Sequence, residues 1–457
     1  MDATIAAIST AMSASGIGIV RISGTEAMNV ISRVYRSKNG KKNIIDVPSH
    51  TIHYGFIYDK DEIVDEVLVM IMRGPHTYTG EDTVEIDCHG GVYAMKRVLE
   101  TVLKNGAEIA QPGEFTKRAF LNGRLDLSQA EAVMDVIEAR NSIALKSSVE
   151  QLKGSVQRAI KDIRANLLHE IAYIETALDD PEHFDLEGYP QELEKIVEKE
   201  SKNIKELLKT ADDGRMIQEG IKTVILGKPN AGKSSLLNYL VGEDRAIVTE
   251  IAGTTRDILE EYISLNGITL RVIDTAGIRE TDDVVEKIGV GKAKQMAENA
   301  DLILYVVDSS IPLDENDHEI MKLLAGRKSI VIYNKTDLDA AVDIEKLKME
   351  TGSPVIPVSV VDETGINQLE DEIRRMFFSG EISFNDEIYI TNARHKLALE
   401  DAAESLRLVI ESINMGMSED FFSIDLMNAY ESLGSIIGEA VGDDLVNEIF
   451  SKFCVGK

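Results

Sequence analysis

The residues Gly227-Lys228-Pro229-Asn230-Ala231-Gly232-Lys233-Ser234 constrain this chain more than any other stretch. They fit the pattern Gly, any four residues, Gly, Lys, then Ser or Thr, a loop that leaves a strand, wraps a phosphate and opens a helix. The flanks agree: residues 222–226 read as a buried strand and 233–241 as a helix. Amides therefore converge where a helix N-terminus favours negative charge. In such a loop Lys233 is expected to hold the β- and γ-phosphates and Ser234 to ligate Mg²⁺. Strand and helix go on alternating from Lys222 to about Ser379, which predicts a mostly parallel sheet with helices on both faces.

Further motifs follow in the order a guanine-nucleotide hydrolase needs. Asp274-Thr275-Ala276-Gly277 is expected to end a strand, its carboxylate in the Mg²⁺ shell and the Gly277 amide at the γ-phosphate. Asn334-Lys335-Thr336-Asp337 follows the apolar run 330–333. There Asp337 can accept from the N1 and N2 groups of guanine, a donor pair that adenine lacks. Ser359-Val360 is expected at the end of the next strand, closing the base pocket with a backbone amide, and Gly253-Thr254-Thr255-Arg256-Asp257 supplies Thr255 for Mg²⁺. After Gly277 comes Ile278, where Ras-type enzymes place the glutamine that orients water. Two substitutes offer themselves: Asn230, whose amide oxygen can help hold a monovalent cation, and Glu286, the nearest downstream acid that begins a helix.

A chain of 457 residues is too long for one ordinary core. Its 49 basic and 79 acidic residues give a formal charge of -30, which argues against coating nucleic acid or anionic lipid by bulk electrostatics. Only Cys88 and Cys454 occur, so no disulfide framework is expected and a reducing cytoplasm fits. No run approaches the roughly 18 apolar residues of a membrane span. Residues 3–20 carry no Lys or Arg before Arg21 and read as a first strand rather than a signal sequence.

Up to about Asn122 the runs 17–22, 67–72 and 84–88 predict an α+β domain. Arg21, Glu85 and His89 are polar residues in or beside its strands; adjacent Cys88 and His89 would face opposite ways and could not share a metal. Beyond Leu125, Ser128 and Glu131 suggest a capping box. Apolar residues from Leu145 to Leu178, at gaps of four and three, then predict one long amphipathic helix. A second helix spans 192–208 with a solvated face, ended by Asp212-Asp213-Gly214. Asn266-Gly267 marks a hairpin that adds an antiparallel edge pair to the nucleotide-domain sheet. Past Thr391 the helical period returns as far as Phe450.

The chain as a whole resembles the MnmE (TrmE) family of tRNA-modifying GTPases, of the TrmE-Era-EngA-like group. The resemblance rests on Gly18-Ile19-Val20-Arg21-Ile22-Ser23-Gly24, Tyr78-Thr79-Gly80-Glu81-Asp82, His89-Gly90-Gly91, Pro112-Gly113-Glu114-Phe115, residues 119–127, the nucleotide motifs and Cys454-Val455-Gly456-Lys457. It implies a multidomain α/β protein: an N-terminal α+β folate-binding-like and dimerisation domain (1–122), an α-helical domain in two halves (123–215 and 380–457), and an inserted Ras-like P-loop GTPase domain (216–379). It implies a cytoplasmic homodimer acting with an FAD-dependent partner on the wobble uridine of certain tRNAs. GTP contacts are implied at Asn230, Ala231, Gly232, Lys233, Ser234 and Ser235. Further contacts are implied at Thr249, Glu250, Ile251, Ala252, Gly253, Thr254 and Thr255, at Asp274, Thr275, Ala276 and Gly277, and at Asn334, Lys335, Asp337, Ser359 and Val360. Also by resemblance, K⁺ is held by Asn230, Thr249, Ile251 and Thr254, Mg²⁺ by Ser234 and Thr255, and the catalytic acid is Glu286. Arg21, Glu85, Arg124 and Lys457 are implied to contact 5-formyltetrahydrofolate or a related tetrahydrofolate, whose carboxylates suit Arg and Lys. Cys454 matches the family's nearly terminal thiol, though a small buried hydrophobe would explain a lone cysteine equally well. The rival reading, a ribosome- or RNA-associated regulatory GTPase, predicts a basic RNA-reading module such as a GxxG loop flanked by Lys and Arg. The C-terminal region shows none.

Overall fold

The computed structural model describes residues 3–40, 42–180, 183, 188–242, 261–265, 267–273, 290–378, 388–439 and 441–456. Along them run β1 (Ile5–Ile8), β2 (Ile17–Ser23), α1 (Ala27–Val34), β3 (Tyr35–Ser37), β4 (Thr51–Asp59), β5 (Glu62–Met72), β6 (Thr83–His89), α2 (Val92–Lys104), β7 (Glu108–Ile109) and α3 (Glu114–Leu121). Helices α4 (Leu127–Glu138), α5 (Ser142–Leu152), α6 (Ser155–Asp179), α7 (Tyr189–Lys209) and α8 (Ala211–Glu219) follow. Next come β8 (Ile221–Leu226), α9 (Lys233–Val241), β9 (Glu261–Leu265), β10 (Ile268–Val272), α10 (Val290–Glu298) and β11 (Leu302–Asp308). After them are α11 (Glu315–Leu324), β12 (Ser329–Asn334), α12 (Ile344–Thr351), β13 (Val355–Pro357), α13 (Ile366–Phe377), α14 (Ala393–Asn414), α15 (Glu419–Ile437) and α16 (Asp443–Ser451). The chain divides into two compact units, one of residues 1–134, 151–185 and 419–457, the other of residues 135–150 and 186–418.

In the first unit a seven-stranded sheet has the order β3-β4-β5-β6-β2-β1-β7. Alternation explains the face covered by α1 and α2: Val20 and Ile22 on β2, Val67, Val69 and Ile71 on β5, and Val84, Ile86 and Cys88 on β6 are all buried with Val30, Ile31, Met95 and Val98 of α1 and α2. The other face carries Arg21 beside Glu85 in register. The stretch read as one first strand is two, because β1 and β2 pair antiparallel, Ile5 opposite Ser23. Helix α6 packs on α15, and Arg164 links them, donating through Nε to the Tyr430 carbonyl and pairing with Glu439.

The second unit is built on a six-stranded sheet of order β13-β12-β11-β8-β10-β9, parallel except for the edge pair β9–β10. Leu265 opposes Ile268 across the two-residue turn, with Gly267 at φ 89°, as the Asn266-Gly267 hairpin requires; Asn266 itself lies outside the described residues. Both faces are apolar, and Ile303, Leu304, Tyr305 and Val306 on β11 and Ile330, Val331 and Ile332 on β12 are fully or almost fully buried. Continuous burial of this kind is expected of parallel strands covered by helices on two sides. Helix α14 packs on α7.

Three helix boundaries differ from expectation. The long amphipathic helix is interrupted: α5 ends at Leu152, and Gly154, at φ 84°, stands before the first residue of α6. The apolar spacing passes the break in phase, so periodicity alone does not register it. The capping box of α4 lies two residues earlier than Ser128–Glu131: Asp126 Oδ1 accepts from the Gln129 amide at 2.9 Å, and Gln129 Oε1 accepts from the Asp126 amide at 3.1 Å. Ser128 instead donates its hydroxyl to Asp126. Finally, Asp212-Asp213-Gly214 does not end α7. It forms part of α8, where the two acids occupy the first turn and complement the helix dipole.

Candidate guanine-nucleotide and Arg21 sites

The phosphate loop is shaped by local chemistry. Gly227, at φ 154°, leaves β8, Asn230 sits in the left-handed region at φ 61°, and Gly232, at φ 98°, precedes the first residue of α9. A Cβ on Gly232 would lie 2.1 Å from Asn334 Nδ2. Only glycine fits there, because Asn334 reaches across to donate to the Ala231 carbonyl at 2.8 Å. Buried at 3 % exposure, Asn334 thereby locks the end of β12 to the loop before α9, and its Oδ1 is buried with no hydrogen-bond partner among the described residues. Lys233 Nζ donates to the carbonyls of Gly227 at 2.8 Å and Lys228 at 2.6 Å, which holds its ammonium over the loop. Ser234 and Ser235 are exposed in the first turn of α9.

Beyond β12, Asp337 Oδ1 accepts from Ser359 Oγ at 2.8 Å, and the same hydroxyl oxygen takes the Asp362 amide at 3.1 Å. Ser359 and Val360 lie just past the end of β13, and the Ser359 amide is committed to the Thr364 carbonyl at 3.2 Å. Ser359 therefore meets the aspartate through its hydroxyl, a role the motif alone does not disclose. Lys335, at φ 62°, pairs through Nζ with Asp308 Oδ2 at 2.6 Å. Burial works against the Asp308 carboxylate, yet Lys335 and the Ser310 contacts bring it below the usual carboxylate range. Thr249, Glu250, Ile251, Ala252, Gly253, Thr254, Thr255, Asp274, Thr275, Ala276, Gly277 and Glu286 lie outside the described residues.

In the other unit three of the four expected folate contacts converge. Arg21 donates through Nε to Glu85 Oε1 at 2.7 Å and through Nη1 to the Gly456 carbonyl at 3.3 Å. Its guanidinium carbon lies 5.3 Å from the Tyr78 ring centre and 5.6 Å from that of Phe115, while the Arg124 guanidinium lies 4.9 Å from Tyr78. One aromatic ring thus carries two cations. Tyr78 is held by its hydroxyl, 2.9 Å from Thr116 Oγ1. Lys457 lies outside the described residues, but its neighbour Gly456 is at the site. Tyr78 and Phe115 sit inside motifs singled out above, and nothing in their spacing marks them as the ring floor. Cys88 is buried and His89 exposed on the opposite face, paired with Asp65 at 2.6 Å. Cys454 is exposed, which removes its reading as a small buried hydrophobe.

Two family models cover almost the whole chain: the TrmE N-terminus of GTP-binding proteins matches residues 4–124, and the MnmE helical domain matches residues 127–454. A tRNA modification GTPase MnmE from Lachnoclostridium phytofermentans is 60% identical over 454 residues, 99% of each chain. The chain belongs to the MnmE family of tRNA modification GTPases. The MnmE of Geobacillus thermodenitrificans is 48% identical over 458 residues, again 99% of each chain. Among solved structures, Era of Aquifex aeolicus matches at 28% identity over 41% of this chain and 67% of its own, with a TM-score of 0.28. As a member of the MnmE family the protein is an enzyme, a GTPase, and its multidomain α/β architecture fits that family. Among the described residues no helix is long and apolar enough to cross a membrane.

Proposed function

We propose that the protein hydrolyses GTP to drive modification of tRNA in the cytoplasm, adding a carboxymethylaminomethyl-type group at C5 of the wobble uridine U34. In this reading it acts as a homodimer with an FAD-dependent partner and uses a tetrahydrofolate one-carbon unit. The observation that carries the nucleotide half is the interlock of Asn334 with Ala231 across Gly232, because it joins the phosphate loop to the guanine-reading Asp337. The Asp337 carboxylate, fixed by Ser359, would accept from the guanine edge, and Lys233 would meet the β- and γ-phosphates. Mg²⁺ would be held by Ser234 with Thr255, and K⁺ by Asn230 with Thr249, Ile251 and Thr254. Such ions supply charge neutralisation between the phosphates when bound. With Ile278 after Gly277, positioning of the attacking water falls to Glu286.

The folate half is supported by the pair of guanidinium groups at Tyr78 beside Glu85. A planar heterocycle with a carboxylate tail suits a floor of one aromatic ring, two cations and one acceptor. Two measurements test the reading. Mass spectrometry of tRNA wobble nucleosides from a deletion strain should show loss of the C5 group; unaltered nucleosides would exclude the tRNA role. Hydrolysis should be faster in K⁺ than in Na⁺ of equal ionic strength, by roughly 10³ if the ion replaces an arginine finger; equal rates would remove K⁺ from the mechanism.

A further inference from the structure

Lys228, the second residue of the phosphate loop, is one of the positions the motif leaves open. Its side chain is nevertheless held on two sides. Nζ lies 2.6 Å from Asp317 Oδ2 and 3.0 Å from Asp314 Oδ2, and only 18% of the lysine side chain is exposed. Asp317 is buried at 2%. Its Oδ1 takes the hydroxyl of Tyr305, a fully buried residue of β11, at 2.8 Å, and its Oδ2 also takes the Asp314 amide at 2.9 Å. Asp314 and Asp317 form the capping box of α11. Capping that helix needs no lysine, so the reach of Lys228 into it has a separate cause. A pair of surface charges would count for little, but a buried carboxylate that loses its cation is strongly disfavoured, so Lys228 is not free to leave.

The backbone of the same residue bears on the site. The Lys228 carbonyl accepts from Lys233 Nζ at 2.6 Å and from the Ala231 amide at 3.3 Å. We propose that Lys228 is a positioning residue for GTP hydrolysis: its clamp to Asp317 and Asp314 fixes the loop carbonyl that aims the Lys233 ammonium at the β- and γ-phosphates. The chain of contacts runs from Tyr305 in the sheet through Asp317 and Lys228 to Lys233, and each link is a direct hydrogen bond. Burial opposes the charge on Lys228, but the hydrogen bonds to Asp317 and Asp314 outweigh it and hold the ammonium above the usual lysine range. It stays a cation at any working pH. The proposal rests on the reading of this loop as the GTP site.

The test is calorimetric binding of GDP and of GMP, with Mg²⁺, to the full chain, together with steady-state GTP hydrolysis. GMP lacks the phosphates that Lys233 serves, so the two ligands separate aiming from general loop damage. Lys228→Met should weaken GDP binding at least fivefold, leave GMP binding within twofold and lower kcat; Lys228→Arg should restore both GDP affinity and kcat. Asp317→Asn keeps an acceptor for Tyr305 while removing the charge that holds Lys228, and should reproduce the selective loss if Lys228→Met does not fold. Unchanged GDP affinity and kcat in Lys228→Met would overturn the proposal, as would equal losses for GDP and GMP, which mark a purely structural role. An unmodified protein that binds no GDP would overturn the GTP-site reading and this proposal with it.

Discussion

Cys88 and Cys454 show how the surroundings of one side chain set its chemistry. Burial beneath the first sheet, with Asp65 nearby, pushes the Cys88 thiol up to about 11, whereas Cys454 is exposed near the chain end. Since the thiolate is the nucleophile, an aromatic disulfide reagent at pH 8 should titrate Cys454 quickly and Cys88 only on unfolding. Two fast thiols would contradict the placement of β6. Above the ordinary thiol range the unfolded chain releases the Cys88 proton while the folded chain keeps it, so the unfolded state binds fewer protons. This residue's contribution to stability is therefore present at neutral pH and declines as pH rises from about 9 towards 11. At the same scale the nucleotide motifs were legible because their chemistry is packed into a few consecutive residues. The Lys228–Asp314 contact was not, since its partners stand 86 residues apart and meet only when β8 and β11 lie side by side.

Elements are joined by side chains that serve two neighbours at once, and Asn141 is the clearest case. Its Oδ1 accepts from the Ala144 amide at 2.7 Å in the first turn of α5, while its Nδ2 donates to the Ile217 carbonyl of α8 at 3.1 Å and to Thr269 Oγ1 of β10 at 2.9 Å. Asn141→Ala removes a helix cap, worth about 1 kcal/mol, and a donor to a carbonyl on α8, worth about 1 kcal/mol more. The urea transition of the unit made of residues 135–150 and 186–418 should report a loss of about 2 kcal/mol with an unchanged slope. Asn141→Asp keeps the capping acceptor but loses both donors and should fall between. A loss below 0.5 kcal/mol in the alanine variant would show that the three contacts do not act together. Sequence pattern predicts helix along most of α5, α6 and α7 but neither their joints nor α8. Asp126-Leu127-Ser128-Gln129 and Ser128-Gln129-Ala130-Glu131 both offer capping residues at the right spacing, and the structure uses the first pair. The break at Gly154 and the start of α8 at Ala211 are likewise tertiary decisions that a period of 3.6 cannot record. Within the first sheet the runs 17–22, 67–72 and 84–88 could be read as strands and coincide with β2, β5 and β6, but β3, β4 and β7 and the sheet order could not, because pairing of β1 with β7 joins segments distant in sequence.

At the scale of the whole molecule, two compact units with their own apolar cores make single-transition unfolding a poor description. Calorimetry should resolve two transitions, and GDP with Mg²⁺ should raise only the one belonging to residues 135–150 and 186–418. At one hundred times its dissociation constant the ligand adds about 2.7 kcal/mol to the unit that binds it. A single transition, or equal shifts in two, would overturn this expectation of independent units. The Arg21 site is closed by residues far apart along the chain. Gly456 accepts from Ser9 Oγ and Arg21 Nη1, and Cys454 accepts from the Gly113 amide. Arg21 leaves the ribosome 435 residues ahead of the carbonyl it binds, roughly 20 to 90 s at ordinary rates of synthesis. A chain whose translation stops short of Gly456 can complete its phosphate loop and still lack the Arg21–Gly456 contact, so that contact acts as a seal that separates chains carried past residue 456 from shorter fragments.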